Sequence, residues 1–467
     1  MEITLFNSLT HKKEVFKPIC QGEVGMYACG PTVYLSPHIG NLRTYIFEDV
    51  LRRTLEGVGY KVNHIENITD VGHLTSDEDV GEDKLEITSK KSGETVWDIA
   101  KKYTNEFNDA IAQLNILPPT TWCKATDHIE EQKKLVEVLW KKGYLYETAD
   151  GLYFDTSKFK NYNEFNPRAA AGNQEGARVE KNDEKKNPTD FAVWKFSPAG
   201  EKRQMEWPSP APFENKMGFP GWHLECSAMS VKYLGQSFDI HCGGVDHLAI
   251  HHPNEIAQAE AASDKKMCNY WLHGEFLLVD GGRMGKSEGN AFTLAELQDK
   301  GFDPMVFRYA CLLTHYRQKM NFTWEALQAA KIAYENLSSY TWQLSANSCE
   351  LADKEMTALD EEVINYLADD LNTAEALGAI WRFVRSNIPT LAEKKAGVLA
   401  AFNLLGLIPA ASPLVTDIPK EIKKLLDQRN EARKNKDYTS ADILRQQISD
   451  LGYSVEDTVG GQVIKQL

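Results

Sequence analysis

The stretch EVGMYACGPTVYLSPHIGNLRTYIFEDVLRRTLEGVGYKVNHIENITD, residues 23–70, decides the architecture. It reads as a strand, a loop, a helix and a second strand. In its helical part Ile46, Phe47, Val50, Leu51, Thr54 and Leu55 recur at spacings of three and four, which gathers them on one helix face. Gly57 and Gly59 then stop the helix. A β-α-β unit of this kind sets its strands parallel, and in a doubly wound sheet ligands sit beyond the carboxyl ends of the strands. The loop from Cys29 to His38 falls at that position.

Working outward, residues 85–115 and 127–142 carry helical patterns, whereas Gly151 to Asp155 and the polar run Asn161 to Pro188 read as an irregular insertion. Phe191 to Lys195 is strand-like or loop-like, and the proline-studded stretch Trp207 to Pro220 cannot be regular helix. Alternation then resumes. Phe238 to Cys242 reads as a strand, Gly243-Gly244 as its turn, Pro253 to Ala262 as a helix opened by its proline, and Leu272 to Val279 as another strand. After Phe302 the pattern is almost wholly helical to about residue 407, for which a bundle is the simplest account. A proline-containing break at 409–419 precedes a charged helical hairpin and a last segment, Tyr453 to Thr458.

A chain of 467 residues exceeds what one core usually supports, so several domains are expected. With 42% hydrophobic and 25% charged residues the composition is that of a globular protein rather than a disordered one. No stretch approaches the roughly 20 apolar residues of a membrane span, and the start MEITLFNSLTHKK lacks the pattern of a signal peptide. A cytoplasmic protein without membrane contact is therefore expected. The eight cysteines are scattered and form no C-x-x-C pair, which favours reduced thiols and argues against a zinc ribbon. A net charge of -15 argues against bulk affinity for nucleic acid. Its local exception is the lysine- and arginine-rich hairpin from Lys420 to Arg445, which reads equally as a solvated helix face.

Three loops carry the chemistry. Pro37-His38-Ile39-Gly40-Asn41 stands at a strand-to-helix junction, where free N–H groups and the helix dipole favour phosphate and Gly40 admits a nucleotide close to the backbone. Asp280 to Asn290 contains four glycines with Arg283 and Lys286, which suits closure over a triphosphate. His241-Cys242-Gly243-Gly244-Val245-Asp246 ends a strand, with paired glycines for close approach and a carboxylate able to accept ribose hydroxyls. Each loop alone also reads as an ordinary cap or turn.

Taken in order, the motifs resemble the class I aminoacyl-tRNA synthetases, and within them the cysteinyl-tRNA synthetases. The resemblance rests on Met26 to Tyr34, Asn67-Ile68-Thr69-Asp70, Gly221 to Met229, His251-His252-Pro253-Asn254-Glu255 and Arg283 to Asn290, and it extends through Asp369 to Thr373 into the tail. It implies a Rossmann-type catalytic domain whose first half is 1–117, a connective insertion at 118–215, the second catalytic half at 216–268, and a mobile-loop and stem-contact region at 269–330. A helical anticodon-arm-binding domain at 331–410 and a small tRNA-binding domain at 411–467 would follow. The activity implied is a ligase reaction: L-cysteine and ATP give cysteinyl-adenylate and pyrophosphate, and the cysteine then passes to the terminal adenosine of its tRNA.

The resemblance further implies one zinc ion at Cys29, Cys226, His251 and Glu255, and Gly30, Thr69, Trp222 and His241 near the bound cysteine. ATP, with Mg²⁺, would be held by His38, Gly40, Asn41, Gly243, Gly244, Asp246 and Lys286, and catalysis would fall to His38, Asn41, Arg283 and Lys286. A monomer is expected. Asn41, Arg283 and Gly285 depart from the two hallmark motifs of the class, in which histidine, lysine and serine occupy those places. Pro253, read as the start of its helix, removes the simple i,i+4 argument for His251 and Glu255. Two other readings stay open on sequence grounds: a ligase joining cysteine to a small amino-sugar, and a non-catalytic tRNA-binding paralogue.

Overall fold

The computed structural model describes residues 1–72, 83–160, 162, 184–198, 200, 202–285, 288–342, 358–411, 419–458 and 461–466. At its centre lie five parallel strands in the spatial order Cys268–Gly274, Phe238–Gly244, Glu23–Ala28, Lys61–Ile68, Thr121–Lys124. The chain starts in the middle, builds to one edge, then returns to the other side of its first strand. Winding reverses between Glu23–Ala28 and Phe238–Gly244, and a doubly wound sheet opens its ligand crevice at that place. The two strands are in register there, Ala28 opposite Cys242, and the Cys29 N–H donates to the Cys242 carbonyl at 3.1 Å.

The expected helix is Ile39–Gly57, with Leu42, Ile46, Val50, Leu51 and Leu55 buried against the sheet. The helical pattern over 85–115 is two helices, Lys84–Ser92 and Val96–Gln113. Gly93 ends the first at φ 78°, and Thr95 caps the second through Asp98 N–H. Gly151 to Asp155, expected to be irregular, contains the strand Gly151–Phe154, which belongs to an antiparallel sheet ordered Leu145–Thr148, Gly151–Phe154, Phe191–Phe196, Met217–Pro220, Trp207–Pro208. All four residues of that strand are buried, so no polar–apolar alternation betrays it.

Three further readings change. Phe238–Gly244 continues through both glycines, Leu272 to Val279 divides between Cys268–Gly274 and Leu277–Val279, and Met320–Phe322 pairs in parallel with the latter inside the nominally helical region. The helices Trp324–Trp342, Ala358–Ala368, Thr373–Arg385 and Leu391–Leu404 form the expected bundle. Arg308, wholly buried, joins it to the sheet domain. Its guanidinium pairs with Asp49 and donates to the carbonyls of Leu114 (2.8 Å) and Leu405 (3.0 Å).

The tail has its own small core of Ile422, Ile448, Val455 and Ile464 beneath the helices Lys420–Lys434 and Tyr438–Asp450 and the hairpin Tyr453–Thr458/Gly461–Gln466. Two members of the basic patch are committed internally: Arg429 and Arg433 reach Asp457 at 2.7 and 2.9 Å.

Candidate active site at the sheet switch point

A cleft of about 570 Å³ opens beyond the carboxyl ends of Glu23–Ala28 and Phe238–Gly244. Cys29, Gly30, Thr69, Trp222, Cys226 and His251 are among the residues that line it, as are His38, Asn41, Gly244 and Asp246. Gly30 is required where it stands. A Cβ there would lie 1.6 Å from the Asn67 carbonyl oxygen, and its N–H donates to Asn67 Oδ1 at 2.8 Å. Thr69 donates to Glu225 at 3.0 Å and accepts from the Asn67 amide at 2.9 Å.

At the floor two thiols, an imidazole and a carboxylate converge. Cys29, Cys226, His251 and Glu255 each present one donor atom, all within 4.8 Å of one another. The Cys29 and Cys226 sulfurs are 4.0 Å apart, Cys29 Sγ lies 3.8 Å from Glu255 Oε1, and His251 Nε2 lies 2.9 Å from the same oxygen. The helix bearing the last two begins at His251, not at Pro253, so they are true i,i+4 neighbours. Pro253 sits in the first turn, where its missing N–H would have had no partner in any case.

The electrostatics suit a cation. The hydrogen bond from Cys29, helped by His251, brings the Cys226 thiol down to about 7, while burial and then Cys226 push Cys29 up. Burial opposes charge on His251, yet Glu255 and Cys226 beside it lift it to about 10. Burial likewise opposes charge on Glu255, but His241 and His251 hold its carboxyl well below the usual range. Two soft sulfurs, a nitrogen and a carboxylate oxygen form a donor set that fits zinc; Cys226 and Glu255 are already inclined to lose their protons, and a bound cation would displace those on Cys29 and His251.

A second ring of histidines braces the first. His241 Nε2 meets Glu255 Oε2 at 2.7 Å while its ring stacks on Trp271, 4.6 Å between centres. His241 is thus wholly buried against the Glu255 carboxylate and is not among the residues that line the cleft. His223 Nδ1 lies 2.8 Å from His251 Nδ1; His252 Nδ1 meets His273 Nε2 at 2.7 Å, and His273 in turn reaches Ser8 at 2.8 Å. His252 Nε2 is 3.4 Å from Cys29 Sγ, so Cys29, His241, His252 and Glu255 make a second converging set. Nothing in the sequence reading singled out His223, His252 or His273; the only local signal was the doublet His251-His252.

In the same cleft His38 caps the helix Ile39–Gly57, its Nδ1 accepting from Asn41 N–H at 3.2 Å while Asn41 Oδ1 accepts from His38 N–H at 3.3 Å. Asn41 thereby completes a reciprocal capping box. A Cβ on Gly40 would lie 3.2 Å from Met284 Sδ, and Ile39 N–H donates to Phe292 O at 2.8 Å, so the two nucleotide loops touch. Asn290 closes the second loop on itself, accepting from Gly285 N–H (2.9 Å) and donating to Arg283 O (3.2 Å). Arg283 is exposed on a two-residue strand, and Lys286 lies outside the described residues. Gly243 and Gly244 pack closely: Cβ atoms there would lie 2.6 Å from His247 Nδ1 and 2.3 Å from Asp246 Oδ1.

Comparison with known proteins gives the family. Residues 15–332 match the family described as tRNA synthetases class I (C) catalytic domain, and residues 415–464 the cysteinyl-tRNA ligase anticodon binding domain. The cysteine–tRNA ligase 1 of Burkholderia lata is 49% identical over 466 residues, covering 99% of this chain and 96% of the relative. The cysteine–tRNA ligase of Treponema denticola is 40% identical over 500 residues and covers all of both chains. Among solved structures, methionyl-tRNA synthetase of Mycobacterium tuberculosis in complex with methionyl-adenylate shares the fold, with a TM-score of 0.56 at 15% identity over 82% of this chain and 89% of that one. Among the described residues no helix is long and apolar enough to cross a membrane. The chain belongs to the cysteine–tRNA ligase family, class I aminoacyl-tRNA synthetases that use ATP to join cysteine to tRNA.

Proposed function

We propose that the chain selects cysteine through a zinc ion held by Cys29, Cys226, His251 and Glu255, and that the cleft above it performs the adenylation. The convergence of those four donors at the cleft floor carries the reading. Zinc there would supply a soft Lewis acid for the substrate thiolate, leaving serine, the oxygen isostere, poorly bound. Gly30 and Thr69 shape the amino-acid end, Trp222 covers it, and His241 positions Glu255. ATP, entering as its magnesium complex, lies along His38, Gly40 and Asn41, with its ribose toward Gly243, Gly244 and Asp246.

The cysteine carboxylate attacks the α-phosphorus, and pyrophosphate leaves. Because the His38 Nδ1 is occupied by the helix cap, its Nε2 carries the proton and donates to a phosphate oxygen. Arg283 and Lys286 supply positive charge from the second loop, and positioning rather than acid–base chemistry does most of the work. The tRNA terminal hydroxyl then takes the cysteine, while residues 331–410 and 411–467 hold the anticodon arm. The division into 1–117, 118–215, 216–268 and 269–330 is our assignment of the remaining regions. We assign the protein to the cytoplasm as a monomer.

The test is cysteine-dependent exchange of pyrophosphate into ATP, followed by transfer of labelled cysteine to tRNA, with zinc measured per chain. Exchange and transfer with one zinc are expected. Exchange that ignores zinc removal would overturn the metal assignment.

A further inference from the structure

We propose that His247 is a substrate-contacting residue whose Nε2 donates a hydrogen bond to an oxygen of the acyl-phosphate group in cysteinyl-adenylate. The inference rests on the reading of the cleft given above and deepens it. His247 follows Asp246 in the short turn Val245–Leu248 that ends the strand Phe238–Gly244, and it lines the cleft. Its ring centre lies 4.7 Å from that of His251 and 6.3 Å from that of Trp222, at the amino-acid end. Its chain neighbours Gly244 and Asp246 line the same cleft, and the reading above gives them to the ribose of the nucleotide. The bond joining those two halves of an aminoacyl-adenylate is the mixed anhydride, so the side chain standing between the two ends meets that group.

The ring's orientation decides which nitrogen is available. Nδ1 is turned toward Gly243, where a Cβ would lie 2.6 Å from it, and it is sealed from solvent without a hydrogen-bond partner among the described residues. Gly243 therefore makes room for this ring. A buried N–H without an acceptor costs more than a buried lone pair, so the proton of the neutral imidazole resides on Nε2. The cleft-facing nitrogen is then a donor, and the acyl phosphate offers only acceptors.

The test uses the full chain with zinc bound and, as probe, cysteinyl-sulfamoyl-adenosine, a non-hydrolysable form of the adenylate. His247→Leu should weaken inhibition of pyrophosphate exchange by this probe about tenfold, the scale of one hydrogen bond. The KM for ATP and the zinc content should stay within about twofold of the parent. His247→Asn, which keeps a donor on a shorter arm, should recover part of the loss and serves also if the leucine variant folds poorly. Unchanged inhibition in both variants, or loss of zinc from both, would overturn the assignment. Absence of cysteine-dependent exchange in the parent protein would instead remove the functional reading itself, and this inference with it.

Discussion

Gly30→Ala is the sharpest probe of the cleft floor. An alanine Cβ would stand 1.6 Å from the carbonyl oxygen of Asn67 and 2.8 Å from its carbonyl carbon. Both are backbone atoms, so no side-chain rotation relieves the clash. Ordinary carbon–oxygen contact is near 3.3 Å, so the ends of the strands Glu23–Ala28 and Lys61–Ile68 must part by roughly 1.7 Å. That movement breaks the 2.8 Å bond from Gly30 N–H to Asn67 Oδ1 and separates Thr69 from Cys29 and Cys226 across the cleft. Overpacking of this kind costs about 1–3 kcal/mol, a local loss that a large domain survives. A displacement of about 1 Å at a reacting centre can cost on the order of a hundredfold in rate. The kcat/KM for cysteine in pyrophosphate exchange should therefore fall at least about a hundredfold, with the protein still folded by circular dichroism. Gly25→Ala in the strand that leads to Gly30 is the control, since its Cβ would meet only ordinary contacts at 3.5–3.7 Å. A Gly30→Ala enzyme within threefold of the parent would refute the placement of cysteine at this floor.

Cys226→Ser should lower bound zinc, measured by atomic absorption, and raise the KM for cysteine far more than that for ATP; equal loss of both would point to a purely structural ion. Arg308→Leu removes one of the two guanidiniums that pair with the buried Asp49, Arg53 remaining at 2.8 Å, and should destabilise by roughly 1–3 kcal/mol, read as a lowered thermal midpoint, with the KM for cysteine little changed. Glu48, 2% exposed, has no hydrogen-bond partner at either carboxyl oxygen among the described residues, and burial followed by Glu66 raises it well above the usual range. Glu48→Leu should therefore raise the urea midpoint at neutral pH, and a lowered midpoint would show an undetected role for the carboxylate. Asp70 is pushed up to about 6 by burial, so the folded state holds its proton more tightly than the unfolded chain does. The stability it contributes is present below pH 4 and is lost as the pH rises through 6, on the order of 2–3 kcal/mol. The stability of the parent relative to Asp70→Asn should fall across that interval, and a flat difference would contradict the shift.

How much of this was legible in advance follows from the range of the forces involved. The unit 23–68 showed itself because helix periodicity and glycine stops are local, and the parallel sheet and the position of its crevice follow from it. Cys29 and Cys226 drew attention as ligands only through the family resemblance carried by their local motifs, since isolated cysteines read equally as buried thiols. The strand Gly151–Phe154 was hidden because all four of its residues are buried between Leu145–Thr148 and Phe191–Phe196, so no alternation marks it. Pro253 misled because proline ends a helix interior but is tolerated in a first turn, and only the observed start at His251 distinguishes the two. The sequence by itself determined the fold class and the residue types available for the chemistry. Tertiary structure alone decided that His241 stands behind Glu255, that His223, His252 and His273 brace the floor, and that His247 faces the cleft. Those contacts join segments far apart in the chain, and hydrogen bonds of 3 Å leave no periodic trace in it.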